Sequence, residues 1–293
     1  MDRRDVLKNI SLGAGALAIG GLTTSLTSPN TIVKKSSLKL KGNINHSACR
    51  WCYSGIELEE LAEKSADIGL KGLDLLTPDD WNIANKYGLE CSLGTDKFAN
   101  IVHGFNEPKN HKELQEKYTG LIDKAADAGV KQVIVFSGNR HGMDDALGLE
   151  NCAVGLDALV KQGEKRGVTL VMELLNSKVD HRDYMCDTSP WGVQLVEKIG
   201  SENFGLLYDI YHMQIMEGDV IATIRKYNKY YSHYHTGGVP GRNEINDSQE
   251  LNYPAIMKAI VATGFKGYVA QEFIPTYDDK IAALREGITI CDV

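Results

Sequence analysis

The chain has 293 residues, of which 43% are hydrophobic and 24% charged, with 29 glycines and 7 prolines. This composition is typical of a globular protein and excludes collagen-like, low-complexity and largely disordered chains. The six cysteines are too few and too scattered for a disulfide scaffold. The formal charge is −7, without a basic cluster, so we expect no nucleic-acid partner.

The first 41 residues are predicted to be an export signal and linker that lie outside the fold. Arg3 and Arg4 precede a weakly apolar stretch rich in Gly and Ala, residues 10–26. This pattern resembles a twin-arginine signal, and the stretch is too mildly apolar for a stable membrane span. The sequence therefore predicts a periplasmic or exported protein whose partners include the export machinery. A disordered or helical cytosolic N-terminus is the alternative.

From residue 42 onward, short apolar runs alternate with amphipathic helical patterns. Strands are predicted at residues 44–48, 72–76, 90–93, 132–137, 169–174, 204–208, 231–235 and 267–272. Helical patterns occur at residues 57–68, 113–128, 153–166, 190–199, 220–226 and 253–263. Eight alternating units predict an α/β fold, a (β/α)8 TIM barrel, with 42–293 as one catalytic domain. A doubly wound sheet is the alternative, but no phosphate-binding glycine motif opens the first helix.

Polar residues stand at the ends of four successive predicted strands, about one βα repeat apart. They are Glu173, Asp209, His235 and Glu272. Taken singly, such residues are more often helix caps, surface ion pairs or core histidines. In a barrel, however, the carboxyl ends of the strands meet at one mouth. Three carboxylates and an imidazole there predict a site for one divalent metal ion, Mn²⁺ or Mg²⁺ first, with Co²⁺, Fe²⁺ or Zn²⁺ as alternatives.

Two further residues are predicted to line the mouth and bind substrate. Trp51 follows the first strand and is expected to form an apolar wall for the carbon face of the substrate. His103 lies in the loop after the third strand. Packing at the top of the barrel is the alternative role for the tryptophan.

Three segments of the second half carry a family resemblance. Residues 208–218 (YDIYHMQIMEG) resemble the hydroxypyruvate isomerase signature of the xylose isomerase-like barrels. Residues 239–244 (VPGRNE) and 250–253 (ELNY) are similar to the loop that follows strand seven in that family. The resemblance extends over about residues 43–275. It implies that the metal ligands include Asp209 and both glutamates, and that Glu173 and Glu272 also form the catalytic acid/base pair.

The same resemblance implies substrate contacts and leaves the branch of the family open. His212 and Arg242 match positions that contact substrate oxygens in the epimerases. The alternative for Arg242 is that it is a solvent-exposed loop residue without a role in binding. His235 stands where hydroxypyruvate isomerases carry Gln and where ketose 3-epimerases and inosose dehydratases carry His. Val179 stands where the epimerases carry a second glutamate, six residues after Glu173, and this favours the isomerase branch.

The implied reaction is a metal-dependent aldose–ketose isomerisation through an enediolate, converting hydroxypyruvate to tartronate semialdehyde. One glutamate removes a proton from carbon and the other returns it to the neighbouring carbon. Return to the opposite face would instead give a ketose 3-epimerase, and an inosose dehydratase-like enzyme is a related alternative. A non-catalytic exported carbohydrate-binding barrel is the remote one. The expected partner is a small hydroxy-carbonyl or sugar substrate, and a homo-oligomer is left open.

Overall fold

Eight parallel strands form one sheet in the computed structural model, which describes residues 38–293. The strands are β1 Asn45–Ala48, β2 Gly72–Leu76, β3 Glu90–Gly94, β4 Gln132–Val135, β5 Thr169–Glu173, β6 Phe204–Asp209, β7 Tyr231–Thr236 and β8 Tyr268–Gln271. Successive strands pair from β2 to β8, and β8 pairs with β1. A parallel bridge between Cys49 and Asp74 joins the end of β1 to β2. The sheet therefore closes into a barrel.

Helices connect the strands, so the predicted (β/α)8 TIM barrel is confirmed. In residues 38–293 the α-helices are α1 Leu58–Ile68, α2 Trp81–Lys86, α3 Pro108–Ala128, α4 Asp145–Arg166, α5 Ser189–Ile199, α6 Ile210–Met216, α7 Val220–Tyr227, α8 Tyr253–Ala262 and α9 Lys280–Cys291. The predicted helical patterns omit α2 and α6, which are too short to display a 3.6-residue period. They also omit α9, whose apolar and polar faces contrast only weakly.

The ends of the helices follow from local chemistry. Gly129 and Gly167 end α3 and α4 in the left-handed conformation, with φ of 79° and 68°, as the glycine after each predicted helix indicates. Both helices begin earlier than predicted, because their first turns rest on proline and a cap rather than on apolar periodicity. Pro108 opens α3, and the Asp144 carboxylate accepts hydrogen bonds from two backbone N–H groups at the start of α4.

Strand β2 is irregular next to its single charged residue. Leu75 has a φ of 56°, and the pairing with β3 shifts register on both sides of Asp74. A bulge of this kind turns a side chain away from the direction that simple alternation would give it. Asp74 is completely buried, and its contacts with the site are described below.

The predicted export signal falls in residues 1–37, outside the described residues. Residues 38–41, which the sequence assigns to the linker, contact the barrel, since the backbone N–H of Lys41 donates to both Asp292 carboxylate oxygens at 3.0 Å. The boundary at residue 42 stays a prediction. Across residues 38–293, no helix combines the length and the apolar character needed to cross a bilayer.

Candidate metal centre and active site

The four predicted metal ligands come together at one end of the barrel. Glu173 and Asp209 are the last residues of β5 and β6. His235 is the penultimate residue of β7, and Glu272 directly follows β8. All four are buried, and one ligand atom from each lies within 4.8 Å of the others. Parallel strands that end at the same level therefore place three carboxylates and an imidazole around one point.

The imidazole of His235 faces the carboxylates with its Nδ1 atom. This nitrogen lies 2.9 Å from Glu272 Oε2 and 3.4 Å from Glu173 Oε1. Asp209 Oδ2 is 4.0 Å away from the same nitrogen. The opposite nitrogen, Nε2, points away from this cluster. A cation between the carboxylates would thus meet the Nδ1 lone pair.

Unpartnered atoms show that these residues fit a cation. Glu173 Oε1 and Asp209 Oδ2 are buried and make no hydrogen bond within the described residues. Buried polar atoms are nearly always satisfied, so two such acceptors side by side indicate a partner that the protein does not supply. Oxygen atoms with one imidazole nitrogen are a donor set that divalent cations accept. The identity of the ion stays a prediction.

The electrostatic surroundings push the two glutamates in opposite directions. Burial raises the pKa of Glu173, and the charge of Glu272 adds to that effect. Burial also acts on Glu272, but the charges of Arg242 and His235 outweigh it and hold the pKa of Glu272 well below its usual range. Burial likewise raises the pKa of Asp209 well above normal. A cation would supply the positive charge that keeps all three carboxylates ionised.

Arg242 reaches the same cluster from the loop after β7. Its Nη2 lies 2.5 Å from Glu272 Oε2 and 3.5 Å from Asp209 Oδ2. The guanidinium carbon stands 5.1 Å and 5.3 Å from the ring centroids of Trp51 and Tyr211, which hold the guanidinium by cation–π contacts. Arg242 Nε is buried without a hydrogen-bond partner among the described residues. A donor therefore remains for a ligand.

Trp51 lies beside the cluster and contacts Glu272 as well as Arg242. Its indole Nε1 donates a hydrogen bond to Glu272 Oε1 at 2.9 Å, while 41% of the residue stays exposed. With Arg242 on Oε2 and the indole on Oε1, both oxygens of Glu272 are engaged. Glu272 is therefore more firmly held than Glu173.

His212 lies in the first turn of α6 and presents one nitrogen to the cluster. Asn176 Oδ1 accepts hydrogen bonds from the backbone N–H groups of Val179 and Asp180, at 3.0 Å and 2.9 Å. These two bonds fix the amide, so Asn176 Nδ2 donates to His212 Nδ1 at 2.6 Å. The proton of the neutral ring then lies on Nε2, which is buried, unpartnered, and 3.7 Å from Asp209 Oδ2.

The surroundings of His212 keep its ring uncharged. Burial lowers the pKa of His212 well below normal, and the charge of Arg242 acts in the same direction. A neutral imidazole with its proton on Nε2 is a hydrogen-bond donor to a substrate oxygen. Asn176 is a residue that sequence reasoning missed. The signal was its position three residues after Glu173, in the same strand-end segment.

Asp74 is the other residue that sequence reasoning missed. Its Oδ2 accepts a hydrogen bond from Ser92 Oγ at 2.9 Å and lies 2.6 Å from His233 Nε2. Its Oδ1 lies 3.5 Å from His235 Nε2, the ring nitrogen on the side opposite Glu173, Asp209 and Glu272. Burial opposes ionisation, but the two histidines outweigh it and lower the pKa of Asp74. An acidic residue inside the apolar run Gly72–Leu76 was the available signal.

His103 and Val179 lie apart from the four-residue cluster. His103 is exposed, and its backbone N–H donates to Asn100 Oδ1 at 2.9 Å. It lines a surface groove with Phe98 and Lys117, and no hydrogen bond or ion pair within residues 38–293 joins it to the cluster. Val179 is 60% exposed in the loop after β5. The adjacent Asp180 accepts a hydrogen bond from the Tyr211 hydroxyl at 2.8 Å.

This chain is similar in sequence to proteins named hydroxypyruvate isomerase. The hydroxypyruvate isomerase of Escherichia coli K12 is 24% identical over 231 residues, covering 73% of this chain and 86% of that protein. The putative hydroxypyruvate isomerase of Homo sapiens is 32% identical over 108 residues, 37% of this chain. The aligned segment spans only 39% of the human protein.

Solved structures share the fold at low sequence identity. D-psicose 3-epimerase with D-tagatose from Clostridium cellulolyticum H10 superposes with a TM-score of 0.69 at 19% identity. The match covers 85% of this chain and 100% of that chain. A family model described as xylose isomerase-like TIM barrel matches residues 53–290. With its closed eight-stranded barrel and this match over most of its length, the chain belongs to the xylose isomerase-like TIM barrel family.

Proposed function

We propose that this protein is a metal-dependent isomerase that interconverts hydroxypyruvate and tartronate semialdehyde through an enediolate. The observation that carries the proposal is the buried cluster of Glu173, Asp209, His235 and Glu272, with its unpartnered acceptor atoms. The relatives named hydroxypyruvate isomerase support the substrate class. The substrate is expected to be a small molecule that carries a hydroxyl next to a carbonyl.

The four clustered residues would hold one divalent ion, with Mn²⁺ or Mg²⁺ expected and Co²⁺, Fe²⁺ or Zn²⁺ as alternatives. When bound, such an ion polarises a carbonyl and its neighbouring hydroxyl and so acidifies the C–H bond between them. The protein contributes three oxygen donors and His235 Nδ1, all buried before any ligand arrives. Burial matters because an electrostatic interaction is stronger where water is excluded.

Glu173 and Glu272 would move the proton between the two substrate carbons. One carboxylate removes it from the first carbon, and the other returns a proton to the neighbouring carbon. The two carboxylates have different surroundings, because Glu173 Oε1 has no hydrogen-bond partner within the described residues, whereas both oxygens of Glu272 have one. Trp51 and Arg242 hold Glu272 in place during this exchange.

His212 and Arg242 would orient the substrate oxygens. His212 offers an Nε2–H donor whose tautomer is set by Asn176. The unpartnered Nε of Arg242 belongs to a planar guanidinium, which pairs well with a carboxylate. Hydroxypyruvate carries a carboxylate and a neutral ketose does not, so Arg242 favours the hydroxy acid.

A ketose 3-epimerase is the second candidate. The fold of D-psicose 3-epimerase and the presence of His at position 235 favour it. Against it stands Val179, an exposed apolar residue at the position where the epimerases carry a second glutamate. An inosose dehydratase-like reaction would use the same four ligands.

The test is proton exchange in D₂O with Mn²⁺ on hydroxypyruvate and on ketoses of three to six carbons. We expect tartronate semialdehyde to form from hydroxypyruvate, with deuterium on the carbon that receives the returned proton. Exchange with inversion at C3 of a ketose, and none with hydroxypyruvate, would establish the epimerase instead. No exchange with any compound would leave a carbohydrate-binding barrel. The Glu173→Gln/Glu272→Gln double variant is the control for contaminating activity.

A further inference from the structure

Asp74 is a buried carboxylate beside the metal cluster but outside the set of four ligands. It lies on β2, away from the strands that carry those ligands. Its Oδ2 is occupied by Ser92 Oγ and His233 Nε2, at 2.9 Å and 2.6 Å. Its Oδ1 makes no full hydrogen bond within the described residues, and the group that faces it is His235 Nε2 at 3.5 Å. Burying a carboxylate with one oxygen left to a single histidine lowers the stability of the fold. This indicates that the pair serves a purpose other than stability.

The backbone of β2 aims this carboxylate into the barrel. The left-handed φ of 56° at Leu75 and the two register shifts around Asp74 interrupt the regular strand. A leucine adopts such a φ only under constraint, and conformations of this kind are concentrated where a side chain must be aimed. The bulge lies where β2 meets the end of β1, at the bridge between Cys49 and Asp74.

The two nitrogens of His235 have different surroundings. Nδ1 faces the carboxylates of Glu173 and Glu272 at 3.4 Å and 2.9 Å. To bind a cation there, Nδ1 must offer its lone pair, and the proton must lie on Nε2. An ionised carboxylate accepts hydrogen bonds and does not donate them. Glu272 Oε2, 2.9 Å from Nδ1, favours a proton on that nitrogen as long as no cation is bound. Asp74, on the opposite side of the ring, favours the proton on Nε2, which is the tautomer that a metal site needs.

The residues around Asp74 hold it in turn. The Gln132 side chain donates through Nε2 to the Ser232 carbonyl at 3.0 Å, which directs its Oε1 toward His233 Nδ1 at 3.2 Å. His233 then meets Asp74 with its other nitrogen. A chain of hydrogen bonds, buried at its Asp74 end, thus extends from β4 through β7 to β2.

We propose that Asp74 is a positioning residue that holds His235 with its proton on Nε2 and its Nδ1 lone pair toward the ion. This inference rests on the metal site of the proposed function. It concerns metal affinity rather than proton transfer, since Asp74 is separated from the cluster by the His235 ring. A carboxylate behind a metal-binding histidine typically contributes 10- to 100-fold in affinity.

The experiment is a calorimetric titration of Mn²⁺ into the metal-free protein without substrate. Asp74→Asn should weaken Mn²⁺ binding about 10- to 100-fold. In the His235→Gln background, where no tautomer exists, the same substitution should have no further effect. An equal loss in both backgrounds would show that Asp74 acts only as a nearby negative charge, and the proposal would fail. Unchanged affinity in the native background would also overturn it.

A matched control removes the other neighbour of the same nitrogen. Cys49 Sγ lies 3.8 Å from His235 Nε2, so Cys49→Ala should bind Mn²⁺ nearly as the parent protein does. A loss with Cys49→Ala and none with Asp74→Asn would assign the role to the thiol. If Asp74→Asn does not fold, Asp74→Leu/His233→Leu carries the same test, with His233→Leu as its reference, because an apolar pair leaves no buried charge and offers no acceptor to His235 Nε2.

A spectroscopic reading checks the tautomer directly. In the Mg²⁺-loaded protein, ¹H–¹⁵N correlation of the His235 ring should show a proton on Nε2, and this signal should shift in Asp74→Asn. A proton on Nδ1 would contradict the inference. If the parent protein binds no Mn²⁺, the metal-dependent function and this inference are both wrong. If it binds Mn²⁺ with an affinity that Asp74→Asn does not change, only the inference is wrong.

Discussion

Glu173 and Glu272 are the same residue type, yet each has a different environment. Glu272 receives hydrogen bonds on both oxygens, from Trp51 and from Arg242. Glu173 keeps Oε1 without a hydrogen bond. Position on the barrel, rather than residue type, therefore determines which glutamate is held and which is free.

Replacing either glutamate with glutamine should separate metal binding from proton transfer. Glu272→Gln and Glu173→Gln keep a ligating oxygen but remove the basic group, so each should retain much of the bound metal and lose about 10²–10⁴-fold in kcat. The double variant should lose less than the two single losses combined, because the residues act as one unit. The measurements are kcat and bound-metal stoichiometry. Near-normal turnover in one variant would leave that glutamate as a ligand only.

Arg242→Lys should test whether the guanidinium selects a carboxylate. Lysine keeps the positive charge near Glu272 but loses the planar, two-point contact and the stacking on Trp51 and Tyr211. We expect kcat/KM for hydroxypyruvate to fall about 10- to 100-fold, as for the loss of one charge-assisted hydrogen bond. Rates on a neutral ketose should change much less. Equal losses on both substrates would argue that Arg242 acts only on Glu272.

At the scale of elements, one residue joins a strand, a helix and the proposed metal site. Asp209 ends β6 and caps α6, since its Oδ1 accepts a hydrogen bond from the His212 backbone N–H at 3.0 Å. Its Oδ2 is directed to the cluster and lacks a hydrogen-bond partner within the described residues. The cap thus fixes the direction of the ligand oxygen, and it starts the helix that carries His212.

Asp209→Asn and Asp209→Ala should separate these two roles. Asparagine is a good N-cap, so Asp209→Asn should keep the stability of the metal-free protein while Mn²⁺ content and affinity fall. Asp209→Ala should lose the metal and also about 1 kcal/mol of unfolding free energy. Elemental analysis, titration and urea unfolding provide the comparison. Parent-like metal content and affinity in Asp209→Asn would exclude Asp209 from the ligand set.

At the scale of the whole molecule, residues near the two ends of the described chain contact each other, as Lys41 and Asp292 do. His46 on β1 is buried with both ring nitrogens unpartnered among the described residues, and Asp292 Oδ1 lies 3.8 Å from its Nε2. Burial outweighs the pull of Asp292 and lowers the pKa of His46 to about 4. The folded protein therefore prefers this histidine neutral.

That preference predicts a loss of stability in mild acid. Unfolded His46 takes up a proton near pH 6.5, whereas the folded residue resists protonation until about pH 4. The contribution of His46 to the free energy of unfolding is therefore complete above pH 6.5. It declines as the pH falls from 6.5 to about 4, by about 3 kcal/mol at most. Urea unfolding of the parent and of His46→Gln between pH 7 and pH 4 measures the difference. Parallel pH curves would contradict the assignment.

We also propose that the whole protein is exported through the twin-arginine route. Replacing Arg3 and Arg4 with lysine should keep the protein in the cytoplasm, because the twin-arginine route requires the paired arginines. The measurement is the recovery of the protein from periplasmic and cytoplasmic fractions. Recovery from the periplasm at the parent level would refute this route.

The sequence by itself determined the barrel and the convergence of three carboxylates and a histidine at its mouth. Alternating strands and helices predict an α/β fold, because each strand must be covered by the helix that follows it, and the missing phosphate-binding glycine motif favours the barrel over a doubly wound sheet. Once the barrel is known, the carboxyl ends of neighbouring strands must converge. Glu173, Asp209, His235 and Glu272 could therefore be placed together from their positions at strand ends alone.

Only the tertiary structure decided which groups orient those ligands. Asp74 reaches His235 through a bulge in β2, and a one-residue irregularity leaves no periodic signal in the sequence. Asn176 acts on His212 because two backbone N–H groups fix its amide. Arg242 lies between the rings of Trp51 and Tyr211, from distant segments. These contacts depend on the directions of side chains that are far apart in the sequence and close in space. Local sequence patterns do not specify those directions.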